Sequence, residues 1–141
     1  MKNNRAMKHL PFLLTLLLLF LGGTAVHAQR IQDASYRTLG YMKSDGTLQD
    51  ASYRTIGYIK QNGAVQDASY RTIAYIKGEA VQDASYRTIG YIKADGTVQD
   101  KSYRTIGHIK KDGLVQDASY RTVGYAPGIP LTWAAFWFFF I

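Results

Sequence analysis

Six times along the chain an aspartate stands four residues before an arginine, as Asp67 and Arg71 do around Ala68-Ser69-Tyr70. A ring of repeated carboxylates could hold a cation such as Ca²⁺, which takes several oxygen ligands. Two features argue against that chemistry. The neighbouring arginine already neutralises each carboxylate, and the acids lack the spacing of calcium-binding loops. The expectation is instead a tight turn that sets Asp and Arg side by side, as an ion pair and a capped bend.

Tyrosines supply the second candidate chemistry. Eleven occur, nearly two per recurrence. Tyr41, Tyr58, Tyr75, Tyr91 and Tyr125 recur in one strand position, near Arg37, Arg54, Arg71, Arg87, Arg104 and Arg121. Aromatic faces on such a scaffold can stack on sugar rings, with arginine or glutamine supplying hydrogen bonds. The same tyrosines also suit packing, since an amphipathic ring buries its body and leaves its hydroxyl a partner at the edge. Packing is the main expectation, with glycan or peptide binding the functional alternative.

Catalytic chemistry lacks its usual parts. There is no cysteine, and beyond residue 28 the only histidine is His108, at a position where other units have tyrosine. Nucleophilic triads and zinc sites need more than this. A glycosidase needs two carboxylates of unequal pKa, whereas these acids are near-identical copies. No enzyme activity, cofactor or metal is expected, and His108 reads as a surface or packing substitution.

The elements that position these residues are repeats. Segments beginning at Ile31, Leu48, Val65, Val81, Val98 and Val115 align at spacings of 17, 17, 16, 17 and 17 residues. Such an array recurs as one supersecondary unit that buries its apolar side against its neighbours. Each unit reads as β. Tyr-Arg-Thr-Ile-Gly-Tyr-Ile is rich in aromatic and β-branched residues. Asp45-Gly46, Asn62-Gly63, Asp95-Gly96 and Asp112-Gly113 follow it and predict hairpins with type I′ turns. The third unit, with Lys77-Gly78-Glu79-Ala80, is one residue shorter and fits a type II′ loop. A short second strand follows, and its final aspartate is placed to form an Asx-turn.

The unit from the Arg-Thr strand to Gln-Asp is complete five times, between Arg37 and Asp117. Ile31-Gln32-Asp33 and Arg121 to Tyr125 are the two halves of another. Left open, both would be exposed strand edges, so the array is expected to curl until they pair. The predicted fold is all-β, a closed ring of five to six β-hairpin repeats. Which strand face points inward stays open, because Tyr70, Thr72, Ala74 and Ile76 on one side and Arg71, Ile73, Tyr75 and Lys77 on the other both carry apolar residues. The glycine at the Gly57 position, present in five of six copies and replaced by Ala74 in the third, suggests close approach about an axis.

The flanks differ in composition. Lys2, Arg5 and Lys8 precede an apolar run from Leu10 to Leu21, and Val26-His27-Ala28 fits a signal-peptidase site. The run is short for a spanning helix, which needs about 20 apolar residues. Residues 1–28 are thus expected to be a removed signal peptide, 29–125 the repeat domain, and 126–141 a Pro/Gly connector with an aromatic tail. Removal takes three of the 17 basic residues and leaves 14 against ten acidic ones, a net charge of +4. Those charges are interleaved rather than gathered into a patch, which argues against nucleic acid. The tail from Leu131 to Ile141 is too short to span a bilayer. It is expected to pack on or in the ring, with membrane or partner contact through Trp133–Ile141 as the alternative. Ala134-Ala135 leans it towards a short helix.

The Arg-Thr-Ile-Gly-Tyr-Ile-Lys-x-Asp-Gly-x-Val-Gln-Asp unit resembles the repeat of the five-fold β-flower proteins, small exported bacterial proteins. The resemblance covers Ile31 to Tyr125, and the aromatic ending Trp133 to Ile141 is also similar. It implies petals of β-hairpin around a central axis, with departures at the third turn and at His108. It implies no activity. The functional expectation is therefore an exported, non-catalytic module of the periplasm or cell envelope, structural or binding an envelope protein or glycan. The alternatives are a membrane- or envelope-assembly-associated protein acting through its tail, and a glycan-binding repeat using the Tyr and Arg positions.

Overall fold

The computed structural model describes residues 27–141, so nearly all of the expected signal peptide lies outside the described residues. Twelve short strands follow one another: β1 (Ala28–Asp33), β2 (Thr38–Lys43), β3 (Thr47–Asp50), β4 (Thr55–Ile59), β5 (Ala64–Asp67), β6 (Thr72–Lys77), β7 (Ala80–Asp83), β8 (Thr88–Ile92), β9 (Thr97–Asp100), β10 (Thr105–Ile109), β11 (Leu114–Asp117) and β12 (Thr122–Tyr125). Among the described residues one helix, α1 (Leu131–Phe139), follows the strands. Every strand pairs antiparallel with its chain neighbours, and β1 pairs β12, so the sheet closes on itself. Gln32 faces Tyr125 and Asp33 faces Gly124 across the closure. The two half-units thus complete one hairpin, and closure removes the edges an open array would expose.

The hairpin turns are not type I′. In the Lys43–Gly46 turn the Gly46 N–H donates to the Lys43 carbonyl at 2.9 Å, and Gly46 alone has positive φ, at +92°. This is a type I turn followed by a left-handed glycine, the three-residue solution with a bulge. Asp45 keeps ordinary φ and acts as an acceptor, its Oδ1 taking the Thr47 N–H at 2.9 Å. The third turn matches its expectation: Gly78 has φ +58° as the first of two loop residues, between the paired Lys77 and Ala80. The turns also tie neighbouring hairpins together, since the Ile59 N–H donates to the Gly46 carbonyl and the Ile76 N–H to that of Gly63, both at 2.8 Å.

Inward-facing positions are the Gly57 and Ile59 class on the long strands and the Val65 class on the short ones, all buried except Ile76, which is half-buried. The expected simple alternation fails in one place. Leu48 pairs Gly57 and Gln49 pairs Thr55, which leaves Ile56 as an extra, bulged residue, and the shift recurs in the other units. A bulge re-aims side chains. Ile89, Ile106 and Val123, equivalent to Ile56, accordingly pack against the core. Ile73 stands at the same bulge in the third unit but stays exposed.

Pro127-Gly128-Ile129-Pro130 leads into α1, whose first turn carries no acidic residue or side-chain cap. A helix apolar on every side belongs in an interior. Ala134 and Ala135 are fully buried and Phe136 is 2% exposed. The four consecutive residues Trp137, Phe138, Phe139 and Phe140 lie against Gly40, Gly124, Gly107 and Gly90, so closely that a Cβ at any of these glycines would overlap the ring. Four of the recurrent strand glycines thus clear space both for an aromatic ring and for a carbonyl oxygen of the neighbouring strand. Gly107→Ala is expected to lower stability by about 1–3 kcal/mol through overpacking, whereas Ser44→Ala, at an exposed turn, should stay within about 0.5 kcal/mol. Equal denaturant midpoints for the two variants would contradict the close approach.

Candidate functional site

The end of the ring opposite the hairpin turns is built from six copies of one five-residue bend, Asp-Ala-Ser-Tyr-Arg or its Lys101 variant. In the copy at Asp67, Oδ1 accepts the Ser69 N–H at 2.8 Å and the Arg71 N–H at 3.0 Å, and Oδ2 accepts Arg71 Nε at 3.1 Å. The Tyr70 N–H donates to the Asp67 carbonyl at 3.0 Å, and the Asp67 N–H to the Arg71 carbonyl at 2.9 Å. One carboxylate thereby organises the bend, the Asx-turn that its position predicted. These bonds favour the charged form. The Arg71 backbone N–H is the largest cause holding Asp67 below its ordinary value of 3.8, opposed by desolvation and aided by the Ser69 N–H and the Arg71 side chain. Asp33, Asp50, Asp83, Asp100 and Asp117 are lowered in the same way.

The bend holds Tyr36, Tyr53, Tyr70, Tyr86, Tyr103 and Tyr120 at φ between +65° and +69°. Left-handed backbone is unfavourable for a bulky residue and persists only where its surroundings over-determine it. Here the aspartate bonds do so, joined in three copies by Gln32, Gln49 and Gln116, whose Nε2 donates to the carbonyl of that tyrosine. Each left-handed tyrosine then lies flat on an aromatic ring of the adjoining strand. Tyr70 stacks on Tyr58 with centroids 4.7 Å apart and planes 9° from parallel. The other pairs are Tyr36–Tyr125, Tyr53–Tyr41, Tyr86–Tyr75, Tyr103–Tyr91 and Tyr120–His108. Hydroxyl–hydroxyl bonds of 3.0–3.1 Å join three of them, and this bonding is the main cause raising the phenols of Tyr58, Tyr91 and Tyr125.

The candidate residues named from sequence therefore occupy two layers. Tyr41, Tyr58, Tyr75, Tyr91 and Tyr125 are half-buried beneath the stacks. Arg37, Arg54, Arg71, Arg87, Arg104 and Arg121 are about 80% exposed, each bonded to its aspartate through Nε. The outer layer, the six left-handed tyrosines, was not singled out; they are 57–65% exposed. Tyr70 does not share a strand face with Thr72; it belongs to the bend. Its signal was its place inside the repeated Asp-x-Ser-Tyr-Arg bend. His108 takes a tyrosine's place in a stack, 4.3 Å from Tyr120, with Nε2 buried and without a hydrogen-bond partner.

The family sequence model described as 5-fold beta-flower protein matches residues 28–141. The chain belongs to the five-fold β-flower proteins. In this β-flower protein five hairpins are continuous in the chain, and a sixth is assembled from its two ends. No curated protein and no solved structure matches it.

The β-flower turns predict an acid transition. With folded-state carboxylates below 3.8, the unfolded chain takes up protons first as pH falls. The contribution of the turn aspartates is complete above the unfolded carboxylate value and is lost as pH drops through the folded one. Denaturant midpoints should be flat from neutrality to about pH 5 and fall steeply below about pH 4. Asp67→Asn, which keeps an Oδ1 acceptor, should cost less than Asp67→Ala. A midpoint independent of pH down to about 2 would contradict the role of these carboxylates.

Proposed function

We propose that this β-flower protein is an exported, non-catalytic interaction module of the periplasm or cell envelope, and that its binding surface is the rim of tyrosine and arginine bends. The observation that carries this reading is the sixfold recurrence of one exposed, hydrogen-bonded unit. Five copies offer an exposed stacked tyrosine next in sequence to a largely exposed guanidinium bonded to its aspartate through Nε, whereas at Tyr86 the Lys77 ammonium lies over the ring, 5.6 Å from its centroid. An aromatic face next to charged donors suits a sugar ring bearing hydroxyl or acidic groups. Copies spaced round a ring suit a repetitive polymer, because linked weak sites bind far more tightly than one. The ligand class we favour is therefore an envelope glycan.

The non-catalytic reading draws on the same geometry. Each turn aspartate has both oxygens committed within its own bend, so none is set apart as an acid or base. The export reading rests on the leader composition. Removal before Gln29 would leave β1 nearly whole, losing only the Ala28–Lys43 pair. The burial of Ala134, Ala135 and Phe136 supports reading the tail as an internal plug rather than a membrane seat. Among the described residues no helix is long and apolar enough to cross a membrane.

A glycan array followed by titration calorimetry tests the proposal. Binding to a repetitive polysaccharide is expected, and Tyr70→Ala with Tyr103→Ala should weaken it about tenfold or more while leaving the strand circular dichroism unchanged. Retention of no envelope glycan, or equal affinity of the double variant, would overturn it.

A further inference from the structure

The six units do not surround the helix equally. In four of them an aromatic ring of the C-terminal segment sits over the strand glycine, at Gly40, Gly90, Gly107 and Gly124. In the second unit the atoms nearest a Cβ on Gly57 are backbone atoms of Gln66 and Asp67, with no ring among them. The third unit has Ala74 at that position, 3% exposed. The bulged residues differ too: Ile89, Ile106 and Val123 pack against the core, whereas Ile56 and Ile73 are 39% and 46% exposed, as is Leu39, at 39%, in the first unit beneath Trp137. Between these two units and the end of the chain lies a cleft of about 400 Å³ lined by Ile56, Gly57, Val65, Ile73, Phe140 and Ile141.

We infer that this cleft is a binding site for a small aromatic molecule, entering at the tyrosine-bearing end of the ring. The occupant is identified by the protein's own repeats. The same slot, formed by a strand glycine and a bulged aliphatic residue, takes the Phe139 ring at Gly107 and the Phe138 ring at Gly124. At Gly57 the slot is built but the helix supplies no ring. An apolar cavity of roughly 150 Å³ suffices to hold benzene, and ligand pockets begin at about 300 Å³, so the cleft admits a bicyclic ring. Ala74 narrows the neighbouring slot by one methyl group, which confines the ring to the Gly57 side. This site is independent of the rim proposed to bind glycan.

Indole is the probe. Titrated into the isotope-labelled protein, it should shift amide signals around Ile56, Gly57, Val65, Ile73 and Ile141 and leave the hairpin-turn end unchanged. Ile56→Asp, a change at a partly exposed side chain, should weaken binding by about tenfold or more, because a charge then lines the apolar mouth. Ala74→Gly should tighten it by opening the second slot. Decanoate, a straight-chain carboxylate, should not compete. No shifts at the solubility limit of indole, shifts elsewhere on the protein, or displacement of indole by decanoate would each overturn the assignment. If Ile56→Asp does not fold, the shift map of the unaltered protein still decides.

Discussion

The contact between the aromatic side chains of α1 and the side-chain-free positions of the surrounding strands governs this structure. Twelve strands of four to six residues close on themselves, and the aromatic segment is buried against their inner face. Glycine at Gly40, Gly90, Gly107 and Gly124 leaves that face without a side chain, a loss for any strand judged alone. The aromatic segment turns that loss into a fit, since each missing side chain becomes room for a ring. Burying a side chain of this size contributes on the order of 1.5–3 kcal/mol, and the interior of so small a domain depends on several such contributions.

The outer wall depends on a second device. Six tyrosines in left-handed backbone cost about 1–3 kcal/mol each by the usual measure of such strain. The turn aspartate offsets that strain by accepting two backbone N–H groups and an arginine Nε in the same bend, and the tyrosine ring recovers contact by stacking on its neighbour. Strain held in place by redundant bonds orients the tyrosine faces rigidly, which suits a recognition surface. The hairpin end has no such layer; its turns use a left-handed glycine and serve to bond one hairpin to the next.

Much of this plan was legible in the residues. The 17-residue spacing set the hairpin array, the split halves at Ile31 and Arg121 set its closure, and the Asp-x-x-x-Arg spacing set the capped bend. Three features were not legible, each for a physical reason. Turn type depends on how the flanking strands twist, so Asp45-Gly46 adopted type I with a left-handed glycine although the dipeptide also fits type I′. A bulge leaves no mark in composition, so an alternation that groups Ile73 with Tyr75 does not reveal the extra residue there. The left-handed tyrosines look in sequence like strand residues, because tyrosine ordinarily favours strands; only the completed hydrogen-bond set explains Tyr70. The helical form of the tail was a close choice because Trp133 to Ile141 is apolar throughout and has no periodicity to read.

If the aromatic helix fills the ring, the strands should need it without being paired by it. Removing Leu131–Ile141 and following thermal unfolding together with sedimentation velocity tests this most directly. The backbone ladder runs from β1 to β12 without the helix, so the shortened protein should keep its strand spectrum. It should melt at a clearly lower temperature and self-associate through the apolar interior it uncovers. An unchanged melting temperature with a monomeric profile would contradict the interior position of the helix.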